Sequence, residues 1–332
     1  MTALAPHLSS FLREYLPRDR GASHHTSDAY ATSFLLLAGF AAQRLKITPS
    51  QLEVEHLDIT MVLAFLEYLE EKRKNSARTR NARLAAIHAF FRYLEYRLVS
   101  CLDQSRQIHA IPMKKADQKL INYLTRDELQ ALLDAPDPRK PSGVRDRAML
   151  HLIYAAGLRV SELVTLQLDD LNGHPPSSIH VMGKGRRERV LPLWKETAAA
   201  LKSWLAIRPN DSGRDLFFNV TDKAMGRYGF KYILAKHVVT ATIRQPSIAK
   251  KHVTPHVLRH TCAMHTLQAT GDVRKVSLWL GHTSIQSTEI YLRADPTEKL
   301  ESFTKTSAPT LTRGRFKVPD KLMAMLKKAG KP

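Results

Sequence analysis

The feature that most limits how this chain can fold is a run of apolar residues at helical spacing, with no strand-like alternation around it. Over residues 76–98, Leu84, Ile87, Phe91, Leu94 and Leu98 recur at steps of 3, 4, 3 and 4, which draws one apolar stripe along a helix. Tyr30, Phe34, Leu37 and Ala41 repeat the spacing, and a shorter helix is expected over residues 57–69, entered through Asp58 or Thr60. Gly and Pro are sparse here, so residues 1–103 are expected to form a helical domain. Arg78, Arg80 and Arg83 crowd the N-terminal end of the 76–98 helix, where cations oppose the helix dipole. Helix stability therefore does not explain them. A phosphate-facing role does, and a solvated basic face is the alternative.

Residues 104–121 have little periodicity, with one proline and three lysines nearby, and are expected to be a linker. Thr125, with Glu128 three residues on, reads as a reciprocal helix cap and opens a second domain, expected over 122–300. That domain mixes helix and strand. Helices are expected at 146–156, 160–166, 195–205, 254–269 and 284–291. Residues 179–181 and 189–193 read as two short strands joined through Gly183-Lys184-Gly185, a hairpin turn in which glycine supplies a positive φ. A tail, 301–332, follows. No internal repeat is visible.

Charge limits the partner. Lys plus Arg number 51 against 31 Asp plus Glu, a net of +20 over 332 residues. Residues 1–110 hold a net of +3 and residues 111–332 a net of +17, so the second part should meet a polyanion most. Nucleic acid fits better than a membrane surface. No apolar run approaches the ~18 residues of a membrane span, and the first residues do not read as a signal peptide. Two cysteines, Cys101 and Cys262, make neither a disulfide framework nor a four-ligand zinc site, so a reducing, cytoplasmic setting is expected.

The residues that carry chemistry lie in the second domain. Arg159 and Glu162 are three apart and can share a helix face. Lys184 sits at the hairpin tip. Thr254 can cap a helix that starts at Pro255, which puts His256 and Arg259 on one face near an N-terminus, where anions are favoured. Gly281 and His282 stand before the last short helix, and Tyr291 follows nine residues beyond His282. Each has a plain alternative: a solvated arginine, a turn lysine, a loop-capping histidine, a packing tyrosine. His256 and His260 have a metal-binding spacing, yet no Glu follows the first and no third ligand is evident.

Taken together these segments resemble a family. Ala156-Gly157-Leu158-Arg159-Val160-Ser161-Glu162-Leu163 resembles the first arginine motif of the tyrosine recombinases, the phage integrase family. Thr254-Pro255-His256-Val257-Leu258-Arg259-His260-Thr261 resembles its His-x-x-Arg motif. Leu280-Gly281-His282-Thr283-Ser284-Ile285, with Tyr291 after it, resembles its last motif, and Lys184 matches the hairpin lysine. The order and spacing hold over residues ~121–295, and residues 1–100 resemble the family's helical, SAM-like core-binding domain on weaker grounds.

The resemblance implies a mainly α fold with a small β-sheet: a helical N-terminal DNA-binding domain and an α+β catalytic domain. It implies cleavage and rejoining of double-stranded DNA through a 3′-phosphotyrosyl bond, with no metal, cofactor or ATP. Arg159 and Arg259 would clamp the non-bridging oxygens, His282 would add a donor, and Glu162 would orient Arg159 or a neighbour. Tyr291 would be the nucleophile, His256 its nearest candidate base, and Lys184 the acid for the leaving 5′-oxygen. It also implies a homotetramer on paired sites, or one shared with sibling recombinases, serving integration, excision or transposition of a mobile element. A DNA-binding protein with a vestigial site and a topoisomerase-like relaxer are the other readings. The tail after Tyr291 is long and matches no family feature. Its apolar face at Leu322, Met325 and Leu326 is expected either to dock on a neighbouring protomer, or to pack on its own domain or fray.

Overall fold

Apolar residues three or four apart, behind helix starts that carry capping side chains, build most of this molecule. The computed structural model describes residues 2–117, 120–183, 187–209, 213–282 and 284–294. The chain divides into two compact units, residues 1–118 and 119–332.

In the first unit, α1 (Leu4–Ser10) runs into a wider-turned helical stretch, Phe11–Asp19. There follow α2 (His24–Leu45), α3 (Ile59–Glu71), α4 (Ala77–Glu95) and α5 (Leu102–His109). The side chains of Ser23, Asp58 and Ser76 accept the N–H groups of Thr26, Met61 and Thr79, which caps α2, α3 and α4. The α4 stripe is the core: Leu84, Ile87, Phe91 and Leu94 are each 0% exposed. Phe90 meets Phe11 and Phe34 edge-on at ring separations of 5.3 and 5.2 Å. The helix stops at Glu95 because the N–H groups of Arg97 and Leu98 both turn back to the Leu94 carbonyl.

One expectation fails here. The linker does not begin at residue 104, since α5 reaches His109. Its polar sequence hides the helix: only Ser105 and Ile108 are buried, and specific bonds hold the remainder. The Gln104 amide donates to the Val54 carbonyl at 2.8 Å, and the Ser105 hydroxyl donates to Glu95 at 2.6 Å. The arginines of α4 have partners within the unit. Arg80 is 5% exposed and donates to the Pro112 carbonyl at 2.9 Å. Arg83 donates to the Ala29 carbonyl at 3.1 Å and the Ser33 hydroxyl at 2.9 Å, tying α4 to α2. Both guanidiniums donate to acceptors in neighbouring segments, which accounts for their place on α4 without a phosphate. Of the three, Arg78 is exposed.

In the second unit, Thr125 and Glu128 cap α6 (Arg126–Leu133) reciprocally. The Glu128 N–H donates to the Thr125 hydroxyl at 3.3 Å, and the Thr125 N–H donates to the Glu128 carboxylate at 2.8 Å. Helix α7 (Pro141–Ala155) is buried without a break from Ala148 onward, the mark of a central helix. After α8 (Val160–Val164) comes an antiparallel sheet of β1 (Leu171–Asn172), β2 (Ser178–Met182) and β3 (Glu188–Pro192), in the order β1-β2-β3. Ile179 lies opposite Leu191, and Val181 opposite Arg189. The remaining elements are α9 (Lys195–Ile207), α10 (Arg227–Arg244), α11 (Pro255–Thr270), α12 (Val273–Leu280) and α13 (Glu289–Ala294). Both α9 and α11 pack on α7.

The last expected helix is two pieces, a tight turn at Ile285–Ser287 and then α13. Helices α10 and α12 were not expected. On α10, Phe230, Ile233, Leu234 and Ala241 are buried in the core, but Tyr228, Tyr232, Val239 and Ile243 are 84, 74, 69 and 81% exposed, so apolar residues on both faces blur the stripe. Lys184 at the hairpin tip and the whole tail, with Leu322, Met325 and Leu326, lie outside the described residues. Among the described residues, no helix is long and apolar enough to cross a membrane.

Candidate active site

The site is assembled from four helix ends and one strand. Gly157 turns the chain after α7 with φ +55°, a conformation suited to glycine, and delivers Arg159 to the N-cap of α8. Glu162 lies in the first turn of that helix, and its carboxylate accepts the Arg159 N–H at 2.9 Å. On α11, Thr254 caps and Pro255 leads, which sets His256, Arg259 and His260 in the first two turns. Gly281 ends α12 in the left-handed region and presents His282. Tyr291 is on α13.

Glu162 is the hub. Its side chain is 5% exposed and takes the Arg159 guanidinium at 2.7 Å and the Arg189 guanidinium at 2.7 Å, with Arg259 at 4.0 Å. Burial alone would raise its carboxyl, but hydrogen bonds from Arg189 and Arg159 outweigh burial and hold the pKa below the usual carboxylate value. Arg259 is 4% exposed and donates to the carbonyls of Gly157 and Leu280. Burial and the nearby Arg159 lower its pKa to about 10, so it stays charged at neutral pH. Three guanidiniums against one carboxylate leave positive charge in a poorly hydrated place. Arg159 is the most open of the three, with 28% of its side chain exposed.

The sequence reading did not single out Arg189. Its signal is there in β3: Val190 is 61% exposed and Leu191 4%, so the strand alternation turns Arg189 and Leu191 inward together. An arginine on the inward face of a strand asks for a buried carboxylate, and Glu162 supplies it.

Tyr291 is 1% exposed, and its hydroxyl lies 3.0 Å from Nδ1 of His260. The expected base was His256. That residue is exposed, and its ring stands 5.8 Å from the ring of His260. The tyrosine thus meets the histidine one turn further along α11. The His282 ring stacks on Tyr291 at 6.4 Å and 10°, and its Nδ1 lies 2.8 Å from the Thr288 hydroxyl. Burial and the three arginines push His282 down to about 4, and burial with His256 and Arg259 pushes His260 down to about 4, so both are neutral at physiological pH. Burial pushes Tyr291 up to about 12. The structure therefore brings Arg159, Glu162, Arg259, His282 and Tyr291 into one part of the second unit, adds Arg189 and His260, and sets His256 at its open edge. Arg78 is in the other unit.

The description Phage integrase family matches residues 122–298, and Phage integrase, N-terminal SAM-like domain, matches residues 8–97. A protein named integrase/recombinase y4rC from Sinorhizobium fredii (strain NBRC 101917 / NGR234) is 41% identical over 324 residues, covering 98% of this chain and 98% of that protein. The chain belongs to the phage integrase family. It is a tyrosine recombinase, similar also to tyrosine recombinase XerC of Pelotomaculum thermopropionicum, at 33% identity over 317 residues, 91% of this chain and 98% of that one. Among solved structures, the XerH site-specific recombinase bound to palindromic difH substrate gives a TM-score of 0.66 at 23% identity, over 89% of this recombinase and 84% of that chain. The Tn1549 transposon integrase in complex with a circular intermediate DNA gives 0.67 at 14%, over 90% and 98%. Those two likenesses concern the fold.

Proposed function

We propose that this recombinase cleaves and rejoins double-stranded DNA at specific sites through a 3′-phosphotyrosyl bond on Tyr291, with neither metal nor ATP. The observation that carries the reading is the group of three guanidiniums fixed by Glu162 in the same part of the unit as Tyr291. A phosphodiester attacked at phosphorus gathers negative charge on its non-bridging oxygens. Donors already held in place stabilise that charge without reorganising at the moment of reaction. Arg159 and Arg259 are the clamp, Glu162 and Arg189 hold it in register, and His282 adds a donor through Nε2 when its Nδ1 accepts from Thr288. Lys184 protonates the leaving 5′-oxygen. The phosphotyrosyl ester conserves the energy of the broken bond, so a 5′-hydroxyl on the incoming strand can reverse the step unaided.

Phosphate contacts from the basic second unit, and from Arg78 in the first, supply much of the affinity, which should fall steeply with salt. The working assembly is a tetramer on two sites, and the role is integration, excision or transposition of a mobile element in the cytoplasm. The relatives named integrase and recombinase, and the transposon integrase of similar fold, support that role.

Covalent trapping tests the chemistry. The protein and Tyr291→Phe are incubated with nicked duplexes from DNA flanking the gene and run on a denaturing gel. A DNA-linked band with the parent protein and none with the variant is expected, with equal duplex binding by both. An adduct of equal yield in Tyr291→Phe would remove Tyr291 as the nucleophile.

A further inference from the structure

We propose that His237 is a positioning residue: held by the buried Asp146, it sets α10 in register with the arginine clamp, so that a duplex lying on α10 delivers its phosphodiester to Arg159 and Arg259. The proposal rests on the reading of this chain as a DNA-cleaving recombinase and names a residue through which DNA contact reaches the clamp. Three buried side chains that the chemistry does not use carry it: Arg145, Asp146 and His237. Arg145 and Asp146 lie in the second turn of α7, and His237 lies at the middle of α10. Nε2 of His237 meets one Asp146 oxygen at 2.8 Å. Nε and Nη2 of Arg145 donate to the other oxygen at 3.0 and 2.7 Å. Nη1 of Arg145 donates to the Phe218 carbonyl at 2.9 Å, in the segment that leads into α10. Asp146 thus ties both the helix and its approach to α7.

Stability alone does not ask for such a group in a core, because apolar side chains of similar volume stabilise as well or better. What apolar packing lacks is direction. A hydrogen-bonded pair holds one distance and one rotation, whereas Phe230, Ile233, Leu234 and Ala241 of the same helix give burial without that constraint. The register matters because of what lies on either side of α10. The helix packs on α8, which carries Glu162 and is N-capped by Arg159, and α7 runs through Gly157 into the same cap. The opposite side of α10 presents Arg227, Tyr228, Lys231, Tyr232 and Lys236 to solvent, a basic and aromatic surface with no acid, suited to phosphates. One helix therefore meets the clamp with one side and the duplex with the other. Misplacing the phosphodiester by ~1 Å costs ~100-fold in rate.

The geometry also says which atom of His237 acts. Among the described residues its Nδ1 is buried without a hydrogen-bond partner, so Asp146 grips the ring from the Nε2 side alone. Nε2 is the donor to the carboxylate, and Nδ1 takes no part. A glutamine places its amide nitrogen close to where a histidine has Nε2, and an asparagine places its own close to Nδ1. His237→Gln should therefore keep the tie, and His237→Asn, of nearly the same chemistry, should break it.

The test follows covalent adduct on nicked duplexes of the protein's own site, with the full-length protein in two backgrounds: the parent, and a protein carrying Lys231→Ala and Lys236→Ala, whose α10 face is weakened. Every variant is assayed below its own melting temperature. In the parent background His237→Asn should slow adduct formation at saturating duplex at least ~10-fold, with the half-saturating DNA concentration changed less than ~3-fold. His237→Gln should stay within ~3-fold of the parent on both measures. In the weakened background the duplex no longer takes its place from α10, so His237→Asn should cost less than ~3-fold. A merely structural histidine would multiply the two losses and give the same ~10-fold in both backgrounds. His237→Leu, which fills the site without a polar atom, runs in the same cycle, so the result does not depend on one variant folding. Equal loss in both backgrounds, parent-like rates in His237→Asn, or equal loss from Asn and Gln would overturn the proposal. Parent-like DNA binding and adduct in the two-lysine variant would overturn it too, since α10 would not carry the duplex. Tyr291→Phe runs beside them: adduct in that variant defeats the nucleophile reading itself, whereas its absence together with equal loss in both backgrounds defeats only the role of His237.

Discussion

Glu162 carries no reacting atom in this scheme, yet it fixes three cations whose mutual repulsion would otherwise spread them. Removing one partner of a buried ion pair leaves the other charge uncompensated and costs about 3–5 kcal/mol. A glutamine keeps the shape and part of the hydrogen bonding, so Glu162→Gln should cost somewhat less, about 2–3 kcal/mol. It should also lower adduct formation at least ~100-fold, because the clamp loses its register. Thermal unfolding and the trapping gel read the two effects separately. An unchanged melting temperature with full adduct yield would show that the arginines hold one another's positions without it. At this scale the sequence was readable where residues lie at fixed offsets on one helix turn, as with Arg159 and Glu162 or His256 and Arg259. It was silent where contact depends on chain folding. Arg189 reaches Glu162 from 27 residues away and Tyr291 reaches His260 from 31, and local spacing encodes neither meeting.

Helix ends do the positioning, and Gly157 shows how little room they have. Besides its φ of +55°, a Cβ added there would lie 2.6 Å from Leu280 Cδ2 and 3.1 Å from Cys262 Sγ. Its carbonyl also holds Arg259. Gly157→Ala combines left-handed strain of ~1 kcal/mol with overpacking of ~1–3 kcal/mol. The variant should melt several degrees lower and lose adduct formation more than DNA binding, since a shift of the carbonyl moves Arg259. A variant with the parent's melting temperature would mean the turn can relax away from Leu280. Elements were legible in the sequence when a cap and an apolar stripe agreed, as at Ser76 with Leu84 to Leu94, or Thr125 with Glu128. They were hidden when the stripe was short, or when further apolar residues on the outer face blurred it. Helix α5 buries two residues, and α10 exposes two tyrosines on a helix that carries Arg227, Lys231, Lys236 and Arg244 with no acid. An outward face of that composition follows the rule for a polyanion's surface rather than the rule for a core.

For the whole molecule, the excess of cations and the number of buried neutral histidines act together on stability. His151, His260 and His282 are each held near a pKa of about 4, burial being the largest cause in all three. The unfolded chain titrates them near 6.5. Between those values the unfolded state binds protons that the native state refuses, so the native state loses stability as pH falls, by about 1.4 kcal/mol per pH unit for each histidine. Above about pH 6.5 the three groups contribute no such penalty, and below about 4 the native state is protonated too and their slope ends. Glu162 then acts in the same direction: its depressed carboxyl stabilises the fold above the ordinary glutamate value and loses that contribution as pH falls toward the folded one. The net charge of +20 adds general repulsion as further protons arrive. From about pH 7 to about pH 5 the three histidines together should remove about 3–5 kcal/mol, after allowance for the solvent that reaches His260 and His282. Denaturant midpoints at the two pH values measure this, and His151→Phe, which keeps a ring in the buried site without a titrating nitrogen, should recover about one third of the loss. Equal midpoints at both pH values would mean that these histidines are protonated in the native state as readily as in the unfolded chain.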